Sequence, residues 1–411
     1  MKSMNIKLIF NKTLITQLVS FATAGIFQLA TISYCSSQLT DKSFARFFFL
    51  LAISNFLTFL DFGIFWSLFM NLSKNNLALT TLMRLAIKRV LFIDALLFVS
   101  TLTIYGIDRL SGDILLLITA VLLNNLFFVG LVALRALDGE IIYFLIFNSS
   151  WPLTFIVLQI MHFMKIQVTS NFAIIPIIVS TVTNLIACIL LYGSFLRKKA
   201  INFEYQSNLD FDLRDFNRLS YFSTLIQIFS IATIYSDRLF VYSALVSNNF
   251  IIYGICVQVS GMAIVLLQNY SSSLIGEKIS GRVNDLNIEF YKIPTIVLFG
   301  LITSVLYIIL MPLFLRVFFP KIEFTLVILS IFAINILLSS FAIHLNNLLW
   351  IASKLKERLL TQIIGVFSYL SIASIFRSQM NLTLASIALL FFNISILSSL
   401  FFLRRKNHLD K

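Results

Sequence analysis

Apolar residues in this chain come in long unbroken runs, set off by short polar stretches rather than alternating with polar positions. A helix needs about 20 apolar residues to cross the hydrocarbon core of a bilayer. Runs of roughly that length predict twelve spans: Ile15 to Cys35, Phe44 to Met70, Val90 to Ile107, Ile114 to Leu134, Ile141 to Met164 and Phe172 to Leu196, then Leu219 to Val246, Phe250 to Ile275, Pro294 to Phe319, Phe324 to Trp350, Leu359 to Phe376 and Leu382 to Leu403. Pro152, Pro176 and Pro312 fall inside these spans, where proline permits a kink. The expected fold is therefore all-α: a polytopic membrane protein of about 12 transmembrane helices.

Composition agrees with the pattern. Apolar residues make up 59% of the 411 positions and charged ones only 12%, about half the usage of soluble domains. A water-soluble monomer is excluded. The 31 Lys and Arg outnumber the 18 Asp and Glu, and in a membrane protein such an excess reports orientation before it suggests nucleic acid. With twelve spans, 23 of the 31 basic residues fall on the side of the two termini and 7 on the other, with Arg238 inside a span. Both termini are expected to be cytoplasmic, and the protein to lie in the cytoplasmic (inner) membrane as a multi-pass protein. The run after Lys2, Lys7 and Lys12 has no small-residue cleavage site and is expected to remain as the first span.

The longest polar interruption, Arg197 to Arg218, divides the spans into six plus six. The expected organisation is a six-helix lobe over 1–197, a cytoplasmic connecting segment over 198–217, and a second six-helix lobe over 218–411. Sliding the first half by 206 residues aligns seven identities in 38 positions, among them Ser37 with Ser243, Phe44 with Phe250 and Ser67 with Ser273. This hints at two parallel bundles, an arrangement that places a substrate path between halves.

Several chemistries are disfavoured. The outward connections are short, the longest near 36–43 and 108–113, so no external catalytic domain is expected and the chain is not read as an enzyme. No G-x-x-x-x-G-K-[ST] phosphate loop occurs. Cys35, Cys188 and Cys256 are far apart, and the histidines form no cluster with them, so neither a metal nor a cofactor is expected.

An ionised group at bilayer depth costs about 2.5–3.5 kcal/mol on insertion scales, so it needs a partner, a wet cavity or a function. Asp61 lies in span two; it either pairs across helices or touches a substrate or ion. Asp94, near the start of span three, is expected to snorkel toward headgroups beside Lys88 and Arg89. Asp237 and Arg238 are consecutive in span seven and point about 100° apart on a helix, so they do not simply neutralise each other. Arg46 opens span two at the external rim, and Lys12 and Arg135 close spans one and four on the cytoplasmic side. They suit a diphosphate or an acidic sugar, and equally a lipid headgroup. A second set is uncharged: Gln17, Gln28, Asn55, Asn124, Asn125, Gln227, Gln258, Gln268 and Asn269, with His344, Asn346 and Asn347. Amides can bind sugar hydroxyls or tie helices together.

Three features in order carry a resemblance. An aromatic-rich start to span two leads from Phe47 to Asp61, Phe62 and Gly63; span seven holds Asp237, Arg238 and Leu239, followed by Phe250 to Gly254; and a basic stretch, Ala352 to Lys356, follows span ten. With the twelve-span layout, the chain resembles a polysaccharide-precursor flippase, the O-antigen or Wzx type, of the multidrug/oligosaccharidyl-lipid/polysaccharide (MOP) exporter superfamily. The resemblance implies two lobes around a cavity and ion-gradient-driven movement of an undecaprenyl-diphosphate-linked oligosaccharide to the outer leaflet. It also implies the bilayer, a polysaccharide polymerase and a chain-length regulator as partners, and no nucleic acid. Asp61, Asp237 and Arg238 are expected to supply cavity charge or ion coupling, with Arg46, Asn55, Asn124, Gln258 and Lys12 along the pathway. The competing readings are a small-molecule or cation antiporter of the same superfamily, a major-facilitator transporter, whose usual basic loop after span two is absent, and a membrane scaffold for polysaccharide assembly.

Overall fold

Without water to satisfy them, backbone amides in a bilayer must pair within their own segment, and nearly all of the described residues are helical. The computed structural model describes residues 12–59, 64–65, 67–68, 79–105, 112–136, 140–202, 218, 221–226, 229, 241, 245, 247–279, 293–320, 324–351 and 354–409. The helices are α1 (Lys12–Gln38), α2 (Asp41–Phe59), α3 (Leu79–Tyr105), α4 (Gly112–Ala136), α5 (Glu140–Asn148), α6 (Ser150–Phe163), α7 (Ile175–Asn202), α8 (Ser247–Ile279), α9 (Ile293–Phe318), α10 (Leu326–Ile351), α11 (Leu355–Ile375) and α12 (Leu382–Leu409). Eight stretches among the described residues are long and apolar enough to cross a membrane, with α5 and α6 together forming one of them, Ile141–Phe163. The fold is an all-α polytopic membrane protein in two lobes.

The chain divides into two compact units, one of residues 1–31 and 53–224, the other of 32–52 and 225–411. In the first, α4 is the central helix. Its Val129, Val132 and Ala133 meet Leu82, Ala86 and Val90 of α3 together with Ile64, Phe65 and Leu68. Another face sets Leu131 and Leu134 against Tyr143 and Phe144 of α5 and Ala187 of α7. A third packs Leu117, Ala120 and Val121 on Ile174 and Ile177. Gly130 brings α4 so close to α7 that an added Cβ would overlap the Cys188 thiol. Such small-residue contacts take the place of the hydrophobic drive that lipid removes.

In the second unit α10 takes that central place, packed by α8, α9 and α12. On α9 the buried residues Ile296, Gly300, Ser304, Tyr307, Met311 and Leu315 recur every three or four positions, which makes one face of a helix. The opposite face, with Leu298, Leu301, Ile302, Val305, Leu306 and Ile309, is exposed and wholly apolar, as a lipid-facing surface is. At Gly300 the two helix backbones approach so closely that a Cβ would overlap Ser340 Oγ of α10. The C-terminal end of α1 and the N-terminal part of α2 also belong to this unit: Ser33 Oγ donates to the Phe318 carbonyl, and Phe48 packs on Gly254, where a Cβ would lie 3.3 Å from the ring. The 206-residue offset seen in the sequence carries the first residue of α2, Asp41, onto the first of α8, Ser247, and Phe48 onto Gly254.

Several expectations are corrected. Pro152 and Pro176 do not bend a continuous helix; Pro152 instead follows the break between α5 and α6 inside the span Ile141–Phe163. Each lies in the first turn of its helix, α6 or α7, where a missing N–H costs nothing because that donor has no intrahelical partner. Only Pro312 sits inside a helix among the described residues, in α9. Span three starts well before the apolar run, at Leu79, since a helix continues into water once Arg84 and Lys88 can face solvent. Likewise α7 runs to Asn202, beyond the end of the apolar run. Asp94 does not snorkel; it is 5% exposed. Lastly, α6 ends with Lys165 at φ 58°: its N–H donates to the His162 carbonyl and that of Ile166 to the Met161 carbonyl, a Schellman closure with lysine where glycine is usual.

Candidate functional site

Three hydroxyls of α1, Thr16, Ser20 and Thr23, are spaced i, i+4, i+7 and so lie along one helix face. Opposite them the span formed by α5 and α6 is interrupted at Ser149, whose Oγ donates to the Ile146 carbonyl at 2.7 Å. This brings Asn148, Ser149 and Pro152 to the same place. Together these residues line an open groove of about 540 Å³ in the first unit, with Val19, Leu145 and Leu153 as its apolar walls. Asn148 Nδ2 donates to Ser20 Oγ at 3.0 Å across the groove floor. Thr23 returns its own hydroxyl proton to the Val19 carbonyl at 2.8 Å, leaving oxygen lone pairs for an incoming donor. The groove is thus amphipathic: hydroxyl and amide groups in a wall of aliphatic side chains.

Behind it, α4 carries two adjacent amides that point to different neighbours. Asn124 Oδ1 accepts from Ser180 Oγ and from Asn184 Nδ2 of α7, both at 2.9 Å. Asn125 Nδ2 donates to Asp94 Oδ1 of α3 at 3.3 Å. Asp94 Oδ2 and Asn125 Oδ1 have no hydrogen-bond partner, although both are buried. Next to them Cys188 Sγ donates to the Phe127 carbonyl. Several polar groups of the second unit are tied instead into helix–helix links. Ser271 Oγ lies 2.9 Å from His344 Nδ1 and accepts from Asn347 Nδ2 at 3.1 Å. Thr361 Oγ1 donates to Asn346 Oδ1 at 3.2 Å. Asn393 Nδ2 reaches both Asn335 Oδ1, at 2.7 Å, and Ser339 Oγ, at 2.8 Å.

The expected site residues are scattered across this picture. Asp61, Asp237 and Arg238 lie outside the described residues. Lys12 is the first residue of α1 and Asn55 lies in α2. Arg46 is exposed on α2 and Gln258 half-buried on α8. Asn124 is buried and holds α4 to α7. Arg135, at the end of α4, lies 5.0 Å above the Tyr143 ring and 5.5 Å from that of Phe144, an aromatic seat for a cation. The groove itself had a sequence signal that was not read, the i, i+4, i+7 hydroxyls of α1. No group of three or more His, Cys, Asp or Glu that could hold a metal occurs among the described residues.

No family model and no curated relative matches the chain. Solved structures do. A MOP superfamily transporter from Pyrococcus furiosus, described as having a binding pocket of reversed polarity that suggests a different function, is 13% identical with a TM-score of 0.67, over 97% of this chain and 95% of that one. A multidrug resistance MATE family transporter of the MOP superfamily in its inward-facing conformation is 14% identical with a TM-score of 0.67, over 96% of this chain and 98% of that one. An outward-facing form of a MATE transporter matches at 13% identity and a TM-score of 0.66, over 96% and 94%. Over nearly its whole length, the chain has the fold of the MATE transporters of the MOP superfamily.

Proposed function

We propose that this protein is a flippase that moves an undecaprenyl-diphosphate-linked oligosaccharide repeat unit, an O-antigen or similar surface-polysaccharide precursor, across the cytoplasmic membrane by alternating access. The hydroxyl- and amide-lined groove of the first unit is the observation that carries this reading. A head of many hydroxyls and two phosphates cannot cross hydrocarbon bare. It needs a surface that replaces its water while its isoprenoid tail stays in lipid. Thr16, Ser20, Thr23 and Asn148 offer donors and acceptors of the kind sugar hydroxyls use, and Val19, Leu145 and Leu153 beside them suit a tail. Thr16 to Thr23 begin four residues into α1, so the groove spans roughly 6–17 Å from the helix start. With the termini cytoplasmic, that is the leaflet in which the precursor is made.

Two further supports come from the fold. It is shared with transporters solved facing inward and outward, so a cycle of alternating access is available to it. The sequence holds no G-x-x-x-x-G-K-[ST] phosphate loop, and in this reading an ion gradient is the drive. In this reading Asp61, Asp237 and Arg238 supply charge to the diphosphate or the coupling ion, and Arg46, Asn55, Asn124, Gln258 and Lys12 lie along the path. A polymerase and a chain-length regulator receive the product on the far side.

Deletion of the gene tests this. Loss of surface polysaccharide, with single lipid-linked units accumulating on the inner leaflet and Ser20→Val with Thr23→Val failing to complement, is the expected result. Normal polysaccharide with raised sensitivity to organic cations overturns the proposal in favour of an antiporter, the activity named for several of the similar structures. Full complementation by a variant lacking Asp61, Asp237 and Arg238 charges indicates a scaffold.

A further inference from the structure

The structure assigns a proton-binding site to the Asp94–Asn125 pair inside the first unit. Asp94 is 5% exposed and Asn125 is 1% exposed. They join α3 to α4 through one hydrogen bond, Asn125 Nδ2 to Asp94 Oδ1 at 3.3 Å. What remains is two buried oxygens, Asp94 Oδ2 and Asn125 Oδ1, with no donor for either. The pair therefore has two acceptors too many and one donor too few. A single proton on Asp94 corrects both, because a carboxylic acid donates through its O–H while still accepting from the amide, and a carboxyl and a primary amide can exchange two hydrogen bonds. A buried polar group left unsatisfied is costly, and a buried unpaired charge more so.

Among the described residues no charged group meets Asp94, and Asn125 is its polar contact. Val90, one turn before Asp94, and Val121 and Val129, one turn either side of Asn125, are all buried. On α3 itself the charged groups are Arg84 and Lys88, both exposed, and the half-buried Arg89. They lie five or more residues back toward the helix start. On α4 the charged side chain described is Arg135, ten residues beyond Asn125 and seated on Tyr143 and Phe144. The packed residues Ile64, Phe65 and Leu68 carry no titratable group. On α7 the titratable neighbour is Cys188, whose thiol is engaged with the Phe127 carbonyl.

A site that takes up one proton between two packed helices is a candidate coupling element: the neutral pair closes the α3–α4 contact and the ionised pair strains it. That coupling role rests on the transporter reading above, whereas proton occupancy does not. The test is therefore spectroscopic and needs no substrate. The full-length protein in lipid nanodiscs is titrated while its infrared difference spectrum is recorded in the carbonyl-stretch region of protonated carboxyls, in H2O and D2O. The expected result is a protonated-carboxyl band of a buried group that is lost in Asp94→Asn and displaced in Asn125→Ala, where the acid loses its amide partner. Spectra of the wild type and Asp94→Asn that superimpose across the titration overturn the site. A band governed by sodium concentration at fixed pH overturns the proton in favour of a metal cation. If Asp94→Asn does not fold, the Asn125→Ala displacement alone decides, and its absence is a refutation. With the band in hand, flipping that loses its pH dependence in Asp94→Asn while a substrate-bound signal persists supports coupling. Flipping with unchanged pH dependence removes that role and leaves the substrate assignment standing.

Discussion

Replacing Asn393 by leucine tests how the second unit is held together. Its Nδ2 makes two hydrogen bonds from α12 to α10, at 2.7 Å to Asn335 Oδ1 and 2.8 Å to Ser339 Oγ, with all three residues buried. Leucine keeps the branched shape but is larger, so no cavity is expected and any overpacking adds to the cost. The cost is the lost bonds plus the acceptor left behind on Asn335. Interhelical hydrogen bonds in membranes average about 0.6 kcal/mol and reach about 1.7, so two bonds give about 1–3 kcal/mol. Ser339 can turn its hydroxyl elsewhere, whereas Asn335 cannot, which places the expectation in the upper half of that range. Equilibrium unfolding in mixed micelles measures it, and a cycle with Asn335→Leu isolates the pair. The double variant should be less destabilised than the sum of the singles by about 1 kcal/mol, since removing both partners leaves no orphan. A single variant within about 0.3 kcal/mol of the wild type, or strictly additive singles, refutes the account.

Other expectations follow from the packing. Gly300→Ala forces a methyl into Ser340 of α10 and should destabilise by about 1–3 kcal/mol, with Ser340→Gly recovering part of it in a melting experiment; no recovery would separate the two positions. Lys165→Gly should stabilise by about 1 kcal/mol, because φ 58° carries a side-chain penalty that glycine avoids, and an unchanged melting point would argue against the left-handed turn. Tyr143→Leu removes the better ring under Arg135 and should cost about 0.5–2 kcal/mol; Tyr143→Phe, which keeps the ring, should cost less, and an equal loss would point to the hydroxyl instead. Cys35 and Cys256 are fully buried, so a maleimide should label them only after denaturation, and rapid native-state labelling would contradict their packing.

The fold was legible because a bilayer leaves few options. Twenty apolar residues between polar breaks can only be a crossing helix, and the runs from Ile114 and from Phe324 both became one. Helix ends were less so, since apolar content marks where lipid stops rather than where hydrogen bonding stops; α3 begins at Leu79 for that reason. Asp94 was misplaced by attending to its sequence neighbours Lys88 and Arg89. The four-residue stripe Leu82, Ala86, Val90, Asp94, all buried, carried the better signal and puts the carboxylate on the face that meets α4. The candidate groove needed a partner surface that no local pattern supplies: the hydroxyls at 16, 20 and 23 share a face in any helix, but the break at Ser149 that brings Asn148 to them depends on tertiary packing.

The contact of Phe48 with Gly254 sets what those two positions can hold. A shift of 206 residues carries one of these positions onto the other, and here the two touch. Two phenylalanines would collide at that point and two glycines would leave a hole, so the fit here is of one large residue against one small. Unlike residues at the two positions are then a condition of this helix contact. A reciprocal exchange, glycine at 48 with phenylalanine at 254, would be the alternative spelling of the same fit.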